Sequence, residues 1–188
     1  MTPPTAFAEP GIVVECQRAL EHGGLFAALK ALNQTTPYRF TGIYRFEGRW
    51  VRSVWLVDRE RPDTHFGSDV LWDESYCRLT ATNGASCEIV NALEDGRLLE
   101  HAARQAVQSY VAVVLASPDR SALGTVCHYD VCPRDPPIGT LEVLQSVTPV
   151  IERAVWNQLG LVPASVSPPV GVDGAEVRRG LPAARMGR

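Results

Sequence analysis

Cys127 and His128 stand side by side, a thiol and an imidazole of the kind that covalent attachment or metal ligation would use. With Cys132, and a fourth ligand from Cys77 or His101, they make a candidate zinc set. The pair falls in a segment that reads as a strand, where neighbouring side chains point to opposite faces. No paired Cys-x-x-Cys spacing accompanies it. Cys127 is therefore read as a packed thiol, and no metal is expected. Cys77 and Cys87 flank a turn, and thiol catalysis needs a thiolate and a resolving thiol within reach. His65 and His101 with Asp95 and Glu100 are candidate acid–base groups. No Ser/His/Asp order, His-Glu-x-x-His or phosphate-binding glycine loop goes with them. Trp50, Trp55, Trp72 and Tyr44 could line an aromatic pocket, and Trp72, in a loop before a helix cap, is the best placed to meet a ligand.

These residues must be held by a recognisable run of elements. Apolar residues at Ile12, Cys16, Ala19 and Leu20, then Leu25, Phe26, Leu29 and Leu32, have helical spacing broken at Gly23-Gly24. Tyr38–Phe46 and Trp50–Asp58 read as a hairpin about Glu47-Gly48-Arg49, followed by a loop over Arg59–Ser68. Asp73 is expected to cap a short helix carrying Tyr76 and Cys77. Asn83-Gly84 marks a turn into a strand over Ser86–Asn91. Asp95 is expected to open a helix with Leu98, Leu99, Ala102 and Ala106 on its apolar side. Ser109–Ala116 and Ala122–Val131 read as strands covered on both faces. A closing helix is expected from Asp135-Pro136-Pro137 through Val155, kinked at Pro149.

The 188 residues suffice for one domain of ordinary size with short ends. We divide them into an N-terminal arm, 1–10, a domain, 11–159, and a Pro/Gly-rich tail, 160–188, expected to be disordered. The content, 45% hydrophobic and 21% charged, is that of a water-soluble globular protein. With 18 basic against 21 acidic residues the net charge is −3, which argues against nucleic acid as the main partner. Lys30 is the single lysine among the basic residues, a skew typical of GC-rich bacterial genomes. No run approaches the ~20 apolar residues of a membrane helix, and no secretory leader is visible. Five irregularly spaced cysteines form no disulfide framework, so a reducing cytoplasm is the expected compartment.

Four segments carry a family resemblance over about residues 22–157. They are Asp73-Glu74-Ser75-Tyr76-Cys77, Glu88 to Leu98, Ser109 to Leu115, and Leu123-Gly124-Thr125-Val126-Cys127-His128-Tyr129-Asp130 followed by Pro133-Arg134. The sequence resembles the GAF domain, the small-molecule sensing module of bacterial signalling proteins. It departs from many members at Asn91, Ala112 and Val114. The resemblance implies an α+β fold, a central antiparallel sheet with helices on both faces. It places a ligand pocket between one sheet face and the short helices after the first hairpin, under Arg59–Tyr76 and Asp95–Arg104. The candidate pocket residues are Tyr44, Trp55, Trp72, Tyr76, Cys77, Asp95, His101 and Tyr110.

The expected function is a non-catalytic sensory or regulatory domain that binds a small molecule or a signalling partner protein. Neither ligand nor cofactor is identified by the sequence. Bilin-binding relatives attach their chromophore to a Cys followed by His, but near a helix rather than within a strand. The alternative is a thiol-dependent free methionine sulfoxide reductase. That branch carries a Cys where this chain has Glu100-His101-Ala102-Ala103-Arg104-Gln105. Spare apolar positions on the first and last helices (Ile12, Val13, Cys16, Leu20; Val143, Val147, Val150, Trp156) predict a homodimer.

Overall fold

A computed structural model describes residues 9–161; the tail expectation and most of the arm lie outside them. Helix α1, Glu9–Asn33, begins inside the stretch read as arm and changes direction at Gly24 (φ 70°, ψ −167°). Ile12 and Cys16 are buried before that kink, and Leu25, Ala28, Leu29 and Leu32 after it. Strands β1 (Phe40–Glu47) and β2 (Trp50–Asp58) form the expected hairpin. Glu47 pairs with Trp50, leaving a two-residue turn whose first position, Gly48, has φ 59°, a conformation open to glycine.

The remaining elements are β3 (Val70–Leu71), α2 (Tyr76–Thr82), β4 (Ser86–Ile89), β5 (Ser109–Ala116), β6 (Ala122–Asp130) and α3 (Thr140–Leu159). The strands make one antiparallel sheet in the order β3-β2-β1-β6-β5-β4. Helices α1 and α3 cover one face, where Ile43, Val57, Val111, Val113 and Val126 meet Leu29, Leu144, Val147 and Ile151. Around the other face gather α2 and two 3₁₀ turns, with Tyr44, Val51, Tyr110, Ala112 and Cys127 beneath Tyr76, Cys77 and Leu98. Both faces are thus covered, and among the described residues no helix is long and apolar enough to cross a membrane.

Four local expectations are corrected. Asp95 caps a turn rather than a helix. Its carboxylate accepts the Arg97 amide, but the chain makes only two 3₁₀ turns, Gly96–Leu98 and Ala102–Gln105. Leu98 is buried while Leu99 is 66% exposed, so no continuous apolar stripe exists to sustain a helix. Asp73 does not cap α2; Ser75 occupies that position without a side-chain bond, and Asp73 pairs with Arg78 at 3.2 Å. Helix α3 starts at Thr140 behind a left-handed Gly139, later than the proline signal, because Pro137 only supplies a carbonyl to Thr140. It then continues through Pro149 as one helix.

Candidate functional site

Side chains alternate along strands, so Tyr44 from β1, Tyr110 from β5, and Cys127 and Tyr129 from β6 rise on the face away from α1 and α3. Above them the start of α2 brings Glu74, Ser75, Tyr76 and Cys77. The strand-entry loop adds Ser68 and Val70, and the second 3₁₀ turn and the loop after it add Ala103, Ala106 and Val107. Together they enclose a cavity of about 310 Å³, at the low end of the ~300–1,000 Å³ typical of ligand pockets.

The polar atoms of this cavity are tied to one another. The Tyr44 and Tyr129 hydroxyls lie 2.9 Å apart. The Cys77 sulfur accepts from Thr125 Oγ1 at 3.2 Å and from the Tyr110 hydroxyl at 3.5 Å. Tyr76 donates to the Val107 carbonyl at 3.2 Å, joining α2 to the turn that roofs the cavity. Arg104 fastens that turn by donating to the carbonyls of Ala92 and Leu93. Burial pushes every ionisable floor group toward its neutral form: Tyr44, Tyr110 and Cys127 rise well above their ordinary values, and Tyr129 rises too. Burial likewise raises Cys77, and outweighs its two hydroxyl donors; it pushes Tyr76 up to about 12 and Cys87 to about 11. The walls are uncharged phenols and thiols.

The Tyr44 side chain is seated by glycines. A Cβ at Gly42 would stand 2.9 Å from its ring, and one at Gly67 would stand 2.8 Å from its hydroxyl. A Cβ at Gly124 would meet the Tyr44 carbonyl oxygen at 2.0 Å. These positions are glycine because of close approach.

Of the eight candidate pocket residues, Tyr44, Tyr76, Cys77 and Tyr110 line the cavity. The other four do not. Trp55 lies on the opposite face, stacked on Phe66 at 5.3 Å and donating to Gln158 at 3.1 Å. The cause is a β-bulge: Ile43 pairs with Trp55 but Tyr44 with Ser53. Val54 is the extra residue, and beyond it the alternation changes phase. Trp72 packs edge-on against Phe46 at 4.8 Å. Asp95 is turned to Arg97 at 2.5 Å. His101 stands behind the cavity wall, its ring 4.6 Å from that of Tyr76 and its Nδ1 accepting the Ala103 amide. Cys127 and Tyr129 were not among the pocket candidates; the period of two that links them to Tyr44 across the strand pair was the available signal.

The other chemical groupings are dispersed. Cys127 faces the cavity side, whereas His128 lies on the helix side, its Nδ1 2.7 Å from Thr41 Oγ1. That division separates the zinc candidates, and among the described residues no three His, Cys, Asp or Glu side chains converge on a metal position. All five cysteines are free. A second, outer groove of about 550 Å³ runs between α1 and α3, bordered by Val13, Leu20, Val150 and Ala154. Ile12, Cys16 and Val147, read as spare apolar positions, are instead buried in the core. Trp156 donates to the Ala116 carbonyl at 2.8 Å.

No protein-family model matches the chain, and no curated protein matches it in sequence. Solved structures do. The free methionine-R-sulfoxide reductase of Neisseria meningitidis, in complex with its substrate, superposes with a TM-score of 0.66 at 10% identity, covering 86% of this chain and 96% of that one. The GAF domain of an Acinetobacter phosphoenolpyruvate-protein phosphotransferase gives 0.65 at 10% identity over 84% and 98%. The chromophore-binding domain of Stigmatella aurantiaca bacteriophytochrome gives 0.63 at 13% identity over 81% of this chain. The match spans 61% of that phytochrome chain. At such identities the likeness is one of architecture, and it agrees with the antiparallel sheet, its two covered faces and the cavity beneath α2: the chain has the GAF fold.

Proposed function

We propose that this chain is a non-catalytic sensory or regulatory domain of signal transduction that binds a small molecule between the sheet and α2. The carrying observation is the cavity itself, formed by tyrosines and thiols whose polar atoms are organised and whose charges are suppressed by burial. Concave, mostly apolar sites with a few convergent polar groups are where proteins hold small ligands. The five free thiols favour a cytoplasmic setting. The test is native mass spectrometry of protein purified from its own host, with a Tyr110→Trp variant that fills the cavity. A retained molecule lost in the variant supports the reading. A wild-type protein with no retained mass, and no ligand that raises its Tm, overturns it.

A reductase reading rests on Cys77 and Cys127, two thiols at one cavity. Against it, a nucleophilic thiol needs a lowered pKa, and burial raises both. Thioredoxin-dependent turnover of free methionine sulfoxide, abolished by Cys77→Ser, would establish it over the sensory reading. We further propose a homodimer through the outer α1–α3 groove, where the spare apolar side chains that border it need cover.

A further inference from the structure

The charge around the cavity is lopsided. No lysine, arginine or histidine lines it, and its one charged residue is Glu74, an exposed side chain at the mouth. Among the described residues Glu74 has no ion-pair partner. The nearby cations are engaged elsewhere: Arg78 with Asp73, and Arg104 with the carbonyls of Ala92 and Leu93. An anionic ligand would therefore lose its hydration without gaining a counter-charge. A cation would meet a free carboxylate and the electron-rich faces that tyrosine rings present.

We infer that, granted the ligand-binding reading above, the cavity selects an organic amine or ammonium compound, its cation beside Glu74 and its apolar body among Tyr44, Tyr76, Tyr110 and Tyr129. The small cavity volume suits a body of one or two rings. The tyrosine hydroxyls bond mainly to protein partners, so the walls offer packing and π-faces more than free hydrogen bonds. Charge at the mouth is then the main source of discrimination.

The test compares three probes that share an indole body and differ in their head group: tryptamine, indole-3-ethanol and indole-3-propionate. Binding is followed by calorimetry on the full chain and on Glu74→Gln, an exposed substitution that leaves the core intact. Tryptamine is expected to bind about tenfold more tightly than indole-3-propionate, the range for a cation near a carboxylate and aromatic faces. Glu74→Gln should remove most of that preference and leave indole-3-ethanol unchanged. Tighter binding of the propionate, or a preference unaltered in Glu74→Gln, overturns the inference and leaves ligand binding standing. Binding of none of the three also overturns it, and the native mass measurement then decides separately whether the sensory reading falls with it.

Discussion

The hydroxyls of Tyr44 and Tyr129 face each other at 2.9 Å on the cavity floor, one accepting the other's proton. Their strands are joined directly, since β1 pairs with β6, so the bond ties side chains across a ladder already closed by the backbone. Removing either hydroxyl leaves the other partly desolvated. Tyr44→Phe and Tyr129→Phe should each cost about 1 kcal/mol in urea unfolding, and the double variant less than their sum. Strict additivity would show that the two hydroxyls do not interact.

His128 should make the protein acid-sensitive above the carboxylate range. Burial, reinforced by Arg59, lowers its pKa from 6.5 to about 3. The folded state therefore keeps it neutral while the unfolded chain takes a proton below pH 6.5. Stability is retained above that pH and falls by about 1.4 kcal/mol per unit on the way down. His101, lowered by burial, adds in the same direction. Asp58, held below its ordinary value by the Arg39 guanidinium, contributes only at lower pH. The dependence of Tm between pH 6.5 and 4.5 should be steep in the wild type and shallower in His128→Gln; equal slopes would place the acid sensitivity elsewhere.

Gly124→Ala should be among the most damaging single substitutions. The new methyl would fall 2.0 Å from the Tyr44 carbonyl oxygen, and both backbones are fixed by strand pairing. A loss of about 3 kcal/mol or more is expected, read as a fall in the urea midpoint. A neutral outcome would mean that β1 and β6 separate readily at this point.

Thiol accessibility should divide the cysteines. Cys16, Cys77, Cys87 and Cys127 are buried, and Cys132 is half-buried. An aromatic disulfide reagent at pH 8.5 should modify Cys132 first and the others only on unfolding. Rapid native modification of Cys77 would reveal an open path to the cavity and strengthen the reductase reading.

Self-association is tested by sedimentation at micromolar concentration. A dimer that dissociates in Val150→Arg, a substitution at the outer groove, supports the proposed interface. A monomer at every concentration removes it.

The sheet was legible because its strands are written in apolar and aromatic runs punctuated by Gly48 and by Asn83-Gly84. Its decorations were less so. Asp95 carries a cap signal that serves a 3₁₀ turn as well as a helix, and only the burial of Leu98 without Leu99 separates the two. Val70–Leu71 is too short for any periodicity to appear. Half of the candidate pocket residues reach the cavity. Trp55 was misplaced by one bulged residue, Val54, which no composition rule reveals. Cys127 was rightly separated from His128 on strand alternation, yet the same alternation placed it, with Tyr129, on the cavity floor.

Gly42 and Gly67 lie far apart in sequence but both abut the Tyr44 side chain, whereas Gly124 abuts only its carbonyl. The two kinds of contact imply different histories under sequence drift. If the tyrosine is replaced by a smaller side chain, Gly42 and Gly67 are released to change with it, so these three positions should vary together. Gly124 gains no such freedom, because every residue at position 44 has the same carbonyl. Among diverging descendants of this chain, Gly124 should outlast the cavity that now surrounds Tyr44.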